Sequence, residues 1–278
     1  MELTNPSTII HLLKKYNLWT KKSLGQNFLI DKKTLDRIVA AAELTKEDLV
    51  VEIGTGLGTL TRKLTESTNK VISIEIDQSM KQIHQQTIPD QQVVYADALD
   101  IEPPQKPYKV IANIPYYITS PLLSHFLKNE YLNGNRRIPV CIVMLIQKET
   151  AEKLCAKDKL NVLALNTQPF GRTEIVKTVS RDCFFPKPKV GSAIIKITPY
   201  PCPLVKGNLK RFYQIVQAGF SHKRKKLVNA LASKPFLRNQ NSKKWSEILL
   251  KKADIDPNRR AETLSIEEWN RLNQELDR

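Results

Sequence analysis

Cysteine is scarce in this chain of 278 residues. The four that occur, Cys141, Cys155, Cys183 and Cys202, lie far apart, and there is no C-x-x-C pair. A disulfide framework is not expected; reduced thiols in a cytosol suit the spacing better. Histidine is as sparse, with four scattered residues, so no zinc or other metal site is expected. Long apolar runs are missing too: the longest, Ile138 to Ile146, is about half a membrane span. Lys14 and Lys15 are followed by no h-region or cleavage pattern, so no signal peptide is expected. No internal repeat or low-complexity tract stands out. These absences set aside membrane and secreted classes in favour of a cytoplasmic protein. With no coiled-coil seam or obvious apolar patch, a monomer is expected.

What the chain has in excess is positive charge. Lysine and arginine number 44 against 28 acidic residues, a net charge of +16. That balance says little about fold and points to polyanionic partners. It is unevenly spread: residues 1–24 hold four basic and one acidic residue, residues 25–204 hold 23 and 19, and residues 205–278 hold 17 and 8. Length suggests two domains. Tyr200-Pro201-Cys202-Pro203 disfavours helix and strand, so the boundary is set there: 1–204, then a basic tail, 205–278.

Short β-rich apolar runs at Leu49–Ile53, Lys70–Ile76, Gln92–Tyr95, Tyr108–Ala112, Val140–Gln147 and Ala193–Thr198 read as strands, with another within Gln168–Val179. Helical stretches fall between them at Thr59–Thr65, Ser79–Gln86, Pro121–Asn129 and Lys148–Ala156. The alternation predicts a doubly wound, Rossmann-like α/β sheet. After residue 205 the pattern becomes all-helical: Leu209–Phe220, Lys225–Ala232, Lys243–Ala253 and Ile266–Leu276. Ser265 and Glu268 have the spacing of a capping box opening the last helix.

The first strand runs into Glu52-Ile53-Gly54-Thr55-Gly56-Leu57-Gly58. Alternate glycines allow a tight turn and close approach to a ligand. The spacing is G-x-G-x-G rather than the dinucleotide fingerprint G-x-G-x-x-G. Glu52 beside the loop would repel phosphate, so an uncharged or cationic ligand is expected. Glu75 ends the second strand, 21 residues beyond Gly54, where doubly wound folds hold a ribose diol. Asp97 ends the third and is suited to accept from an adenine amino group. Glycine loop, ribose acid and adenine acid together describe an S-adenosylmethionine pocket.

The fourth strand ends in Asn113-Ile114-Pro115-Tyr116, which resembles the (N/D)-P-P-Y signature of methyltransferases acting on exocyclic amines of bases. An adenine N6 lone pair is conjugated into the ring and is a poor nucleophile. The Asn113 side-chain oxygen and the Ile114 carbonyl offer two neutral acceptors for its N–H groups, favouring a more tetrahedral nitrogen. Pro115 fixes the turn, and Tyr116 offers a face for an extruded base.

Lys22-Ser23-Leu24-Gly25-Gln26-Asn27-Phe28-Leu29, Asn113 to Tyr116, and Phe185-Pro186-Lys187-Pro188-Lys189-Val190-Gly191-Ser192 follow one another in the order of motifs of the rRNA adenine N6-dimethyltransferases. Over about residues 20–270 the chain resembles that family, and within it most closely the bacterial small-subunit KsgA/RsmA family. The resemblance implies dimethylation of two adjacent adenosines in the hairpin near the 3′ end of 16S rRNA, in small-subunit particles, with a role in ribosome biogenesis. It implies S-adenosylmethionine as cofactor, contacted by Asn27, Leu29, Gly54, Gly56, Glu75, Asp97 and Asn113. It further implies a target base held between Tyr116 and Phe185, with Phe184 as the alternative to Phe185. Lys223, Arg224, Lys225 and Lys226, expected at the start of a helix, are candidate rRNA phosphate contacts.

Two departures stand out. Tyr117 occupies a position where the family commonly has asparagine, and residues 156–161 form a shorter loop than usual. Three rival readings remain: a large-subunit rRNA adenine methyltransferase of the macrolide-resistance type, a non-catalytic ribosome-assembly factor, and a DNA adenine methyltransferase. Gly25 and Ser120-Pro121-Leu122-Leu123 count against the first, intact Glu75, Asp97, Asn113 and Tyr116 against the second. The absence of an evident sequence-reading domain counts against the third.

Overall fold

The computed structural model describes residues 1–21, 24–134, 137–222, 224–233 and 242–276. Nine strands occur among them: β1 (Phe28–Leu29), β2 (Leu49–Ile53), β3 (Lys70–Glu75), β4 (Val93–Tyr95), β5 (Lys109–Asn113), β6 (Cys141–Gln147), β7 (Gly171–Val179), β8 (Phe184–Phe185) and β9 (Ser192–Pro199). Seven of them form one sheet in the order β4-β3-β2-β5-β6-β9-β7. Only β9 is reversed, pairing antiparallel with both β6 and β7. The other six run in one direction, with glycine loop, Glu75 and Asn113 at or just beyond the C-terminal ends of theirs.

The side-chain alternation of the central strands builds two cores, one on each face. Val51, Ile53, Val110, Ala112, Ile142 and Met144 belong to one. Val50, Ile111, Val143, Leu145 and Ile194 belong to the other, covered by Leu35 and Ile38 of the helix Lys32–Ala41 and by Leu60 and Leu64 of the helix Thr59–Ser67. The run from Cys141 to Ile146 is apolar without a break because both faces of β6 are buried.

β2 and the helix Leu209–Phe220 coincide with the expected ranges. Elsewhere tertiary packing moved the picture. The expected helix Pro121–Asn129 is a longer run, 119–133, interrupted by a π-turn at Ser124–Lys128. The helices Pro6–Lys15, Lys32–Ala41 and Val162–Thr167 are not among the expected elements, although Asn5, Asp31 and Asn161 cap their starts. Nor are the two-residue strands β1 and β8, which pair Phe28 with Phe185 and Leu29 with Phe184.

Ser265 and Glu268 form the expected capping box of the helix Ile266–Glu275. The C-terminal helices share the core of the sheet: Phe212, Tyr213, Ile215 and Trp269 lie in the same cluster as Val51 and Ile142. Phe170 bridges the two, its ring 6.0 Å from that of Tyr213. No helix among the described residues is long and apolar enough to cross a membrane.

Candidate active site

The glycine loop turns because its three glycines take left-handed backbone angles, φ +80°, +56° and +84°. At Gly54 a Cβ would also lie 3.1 Å from the Asn113 carbonyl oxygen, so the loop is pressed against the end of β5. Gly25 likewise has φ +56° and packs directly on Pro115. The segment before the sheet is thereby seated on the Asn113–Tyr116 turn.

Hydrogen bonds hold this arrangement from both sides. The Gly56 N–H donates to Glu75 Oε2 at 2.8 Å, and the Asp77 N–H donates to Glu75 Oε1 at 2.9 Å. Burial pushes the Glu75 carboxyl up, opposed by these N–H groups. The Gly56 carbonyl accepts from His84 Nε2 at 2.8 Å. Because a carbonyl only accepts, His84 carries its proton on Nε2, and Nδ1 accepts from the Tyr95 hydroxyl at 2.7 Å. Burial keeps that imidazole below its ordinary range, hence neutral at pH 7. Asp77 anchors the preceding segment through Lys21 Nζ at 2.7 Å and Gln26 Nε2 at 2.9 Å. Burial opposes ionisation of Asp77, yet the hydrogen bonds from Lys21, Ser79 and Gln26 outweigh it and its carboxyl sits low. His84, Asp77 and Lys21 were not legible as site residues: each acts on the loop or the entry segment, and only folding brings them there.

One cavity gathers most of the expected residues. Asn27, Leu29, Gly54, Gly56, Glu75, Asp97, Asn113, Ile114 and Tyr116 all line it. Asp97 Oδ1 accepts the Leu99 N–H at 2.9 Å, and Asn27 Nδ2 donates to the Gly25 carbonyl at 2.9 Å. The Asn113 side-chain amide makes no hydrogen bond among the described residues. The Tyr116 hydroxyl and Ser192 Oγ are 2.9 Å apart, which ties the Asn113–Tyr116 motif to the end of the Phe185–Ser192 motif.

Two expectations need correction. Glu52 does not face a ligand. It is fully buried behind the loop, where Thr61 donates to it at 2.8 Å and Ser73 at 2.7 Å. Burial foremost pushes its carboxyl up to about 7. A strand alternates its faces, so the residue before Ile53 points away from the cavity that Ile53 lines. Phe184, not Phe185, lines the cavity. In β8 the same alternation puts Phe184 with Leu29 and Leu35 in the cavity wall and packs Phe185 against Phe28, Leu57 and Met80, so that Phe185 itself does not line the cavity although Phe28 and Leu57 do.

Of the basic candidates, Lys223 lies outside the described residues, as do Lys22 and Ser23 of the first motif. Arg224, Lys225 and Lys226 are exposed, in the turn before the helix Leu227–Ala232 rather than within it. Among the described residues no group of three or more His, Cys, Asp or Glu side chains is arranged to hold a metal ion.

Glu75 and Asp97 are the only charged residues lining the cavity among those described, and no lysine or arginine lines it. A pyrophosphate would meet repulsion here, whereas a sulfonium cation would not. Acidic where a nucleotide-phosphate site is basic, and set beside a sheet with a single reversed strand, the cavity marks a Rossmann-like S-adenosylmethionine-dependent methyltransferase.

Within that class, residues 17–277 match the family model described as ribosomal RNA adenine dimethylase, and the chain belongs to this family. It is 39% identical over 292 residues to the ribosomal RNA small subunit methyltransferase A of Alkaliphilus metalliredigens, covering 99% of this chain and 98% of that one. A dimethyladenosine transferase from Plasmodium falciparum superposes with a TM-score of 0.75 at 28% identity, covering 90% of this chain and 97% of that one. The 23S rRNA methyltransferase ErmE superposes with a TM-score of 0.68 at 32% identity, covering 91% and 100%.

Proposed function

We propose that the protein transfers methyl groups from S-adenosylmethionine to N6 of two adjacent adenosines in the 3′-terminal hairpin of 16S rRNA, within the small ribosomal subunit or its precursor. The observation that carries this reading is the Asn113–Tyr116 turn lining one cavity with Glu75 and Asp97. When bound, S-adenosylmethionine supplies an electrophilic methyl group. The residues that would hold it are Asn27, Leu29, Gly54, Gly56, Glu75 and Asp97, with the two acids toward ribose and adenine.

The protein's own contribution is alignment. The free Asn113 side-chain oxygen and the Ile114 carbonyl accept the two N–H groups of the target amine, withdrawing its lone pair from the ring. Among the described residues no other group hydrogen-bonds to either acceptor. Neutral acceptors suffice because methylation itself acidifies the amine, so no strong base is required. Tyr116, steadied by Ser192, and Phe184 offer the aromatic faces for the extruded adenine. Residues 1–204 make up the catalytic part in this reading. Residues 205–278, with Arg224 to Lys226 and Lys223, dock rRNA phosphates. A cytoplasmic monomer and a checkpoint role in ribosome biogenesis accompany the reading.

The test is the position of labelled methyl groups after incubation with small subunits, large subunits or DNA. Dimethylated adenosines confined to the small-subunit hairpin are expected. Label in 23S rRNA, the substrate named for ErmE, or in DNA overturns the substrate. No transfer to any of them leaves an assembly factor.

A further inference from the structure

We infer that Tyr117 is a stacking platform for the nucleobase next to the target adenosine, a subsite at the rim of the cavity. The inference rests on the reading that an adenosine within an RNA strand enters the cavity.

Tyr116 and Tyr117 are neighbours in one 3-10 turn, Tyr116–Ile118, yet their environments are opposite. Tyr116 is half-buried and its hydroxyl is engaged by Ser192. Tyr117 is 63% exposed while still lining the cavity, so its ring stands at the rim. Its hydroxyl makes no hydrogen bond among the described residues. A large ring left in water at the rim of the cavity gains nothing for the fold.

The substrate supplies the occupant. A base extruded into the cavity remains covalently joined to its neighbours. With the target seated beside Tyr116, the adjoining nucleotides are held within one phosphodiester link of the rim. A flanking base that loses a stacking partner when the target leaves can recover one on an exposed aromatic face. In the proposed substrate one such neighbour is itself an adenine, a purine with a wide face. Stacking there sets the strand's register, so that one adenosine is presented while the next waits at the rim.

The test uses small-subunit particles assembled with a synthetic 3′ segment of 16S rRNA, intact or with an abasic nucleotide on one or the other side of the target. Affinity is measured for wild type, Tyr117→Ala and Tyr117→Phe. Tyr117→Ala is expected to weaken binding to intact particles roughly 5- to 150-fold, the span of base–aromatic stacking. On the particle lacking the stacked neighbour the difference from wild type should vanish. Tyr117→Phe should bind like wild type, because the hydroxyl is unused. Equal loss on intact and both abasic particles, or no loss on intact ones, overturns the subsite. Wild-type enzyme that methylates these particles while Tyr117→Ala binds them normally refutes only the subsite. Wild-type enzyme that fails to methylate them refutes the substrate reading instead.

Discussion

The Gly56 N–H donates to Glu75 Oε2 at 2.8 Å, so the glycine loop and the acid that ends β3 form one unit. Both Glu75 oxygens accept backbone N–H groups, the second from Asp77. Glutamine has only one acceptor oxygen, so Glu75→Gln leaves one N–H facing an amide NH₂. Cofactor affinity should fall by about 1.5–3 kcal/mol, the range for hydrogen bonds to a charged group. Binding of RNA should hardly change. Calorimetric titration with S-adenosylmethionine decides it, and an unaltered dissociation constant in a folded variant would exclude the role.

Asn113 lines the cavity with an amide that has no hydrogen-bond partner among the described residues. Its replacement by alanine should therefore leave stability near wild type. The methyl-transfer step should slow on the order of a hundredfold, as for loss of one preorganised polar group in other active sites. Single-turnover methylation of saturated complexes is the measurement. A wild-type rate would sink the assignment.

Glu52 makes stability depend on pH. Its folded-state pKa of about 7 lies above the ordinary 4.5, chiefly through burial. The folded protein thus holds this proton more tightly than the unfolded chain. Its stabilising contribution is complete below about pH 4.5 and is lost as pH rises through 7. The full difference is roughly 3 kcal/mol by linkage. Glu52→Gln keeps a neutral hydrogen-bonding group beside Thr61 and Ser73 and should remove this dependence. Urea unfolding from pH 5 to 8 compares the two proteins; parallel stability curves would show that Glu52 does not titrate in this range.

The Tyr116–Ser192 contact at 2.9 Å predicts coupling between two motifs far apart in sequence. Ser192→Ala and Tyr116→Phe should each slow methyl transfer several-fold, the worth of about 0.5–1.5 kcal/mol for one hydrogen bond. The double variant should be no slower than the worse single one. Additive losses in a double-mutant cycle would mean that the two groups act independently.

Neutral replacement of Lys223, Arg224, Lys225 and Lys226 should reduce the salt slope of particle binding by about 3–4, at roughly 0.7–0.9 per phosphate contact. Cofactor affinity should not change. Log affinity against log salt gives the answer, and parallel lines for wild type and variant would show that the cluster touches no phosphate.

The residue pattern alone determined the sheet's strands, the glycine loop, the acids Glu75 and Asp97, and the helical, basic C-terminal part. These depend on local rules: alternation in strands, glycine where the backbone must be left-handed, acids at strand ends. The side toward which a residue points was not local. Glu52 looked like part of the ligand loop, but the pleat of β2 turns it into the core. Phe184 and Phe185 are adjacent and chemically identical, and only the pairing of β8 with β1 sends one to the cavity and the other to Phe28 and Met80. The supports of the loop also came from the fold. His84 reaches Gly56 across 28 positions, and Lys21 reaches Asp77 across 56. Such partners follow no spacing rule, because they are chosen by which surfaces the packed helices and strands bring within hydrogen-bond distance.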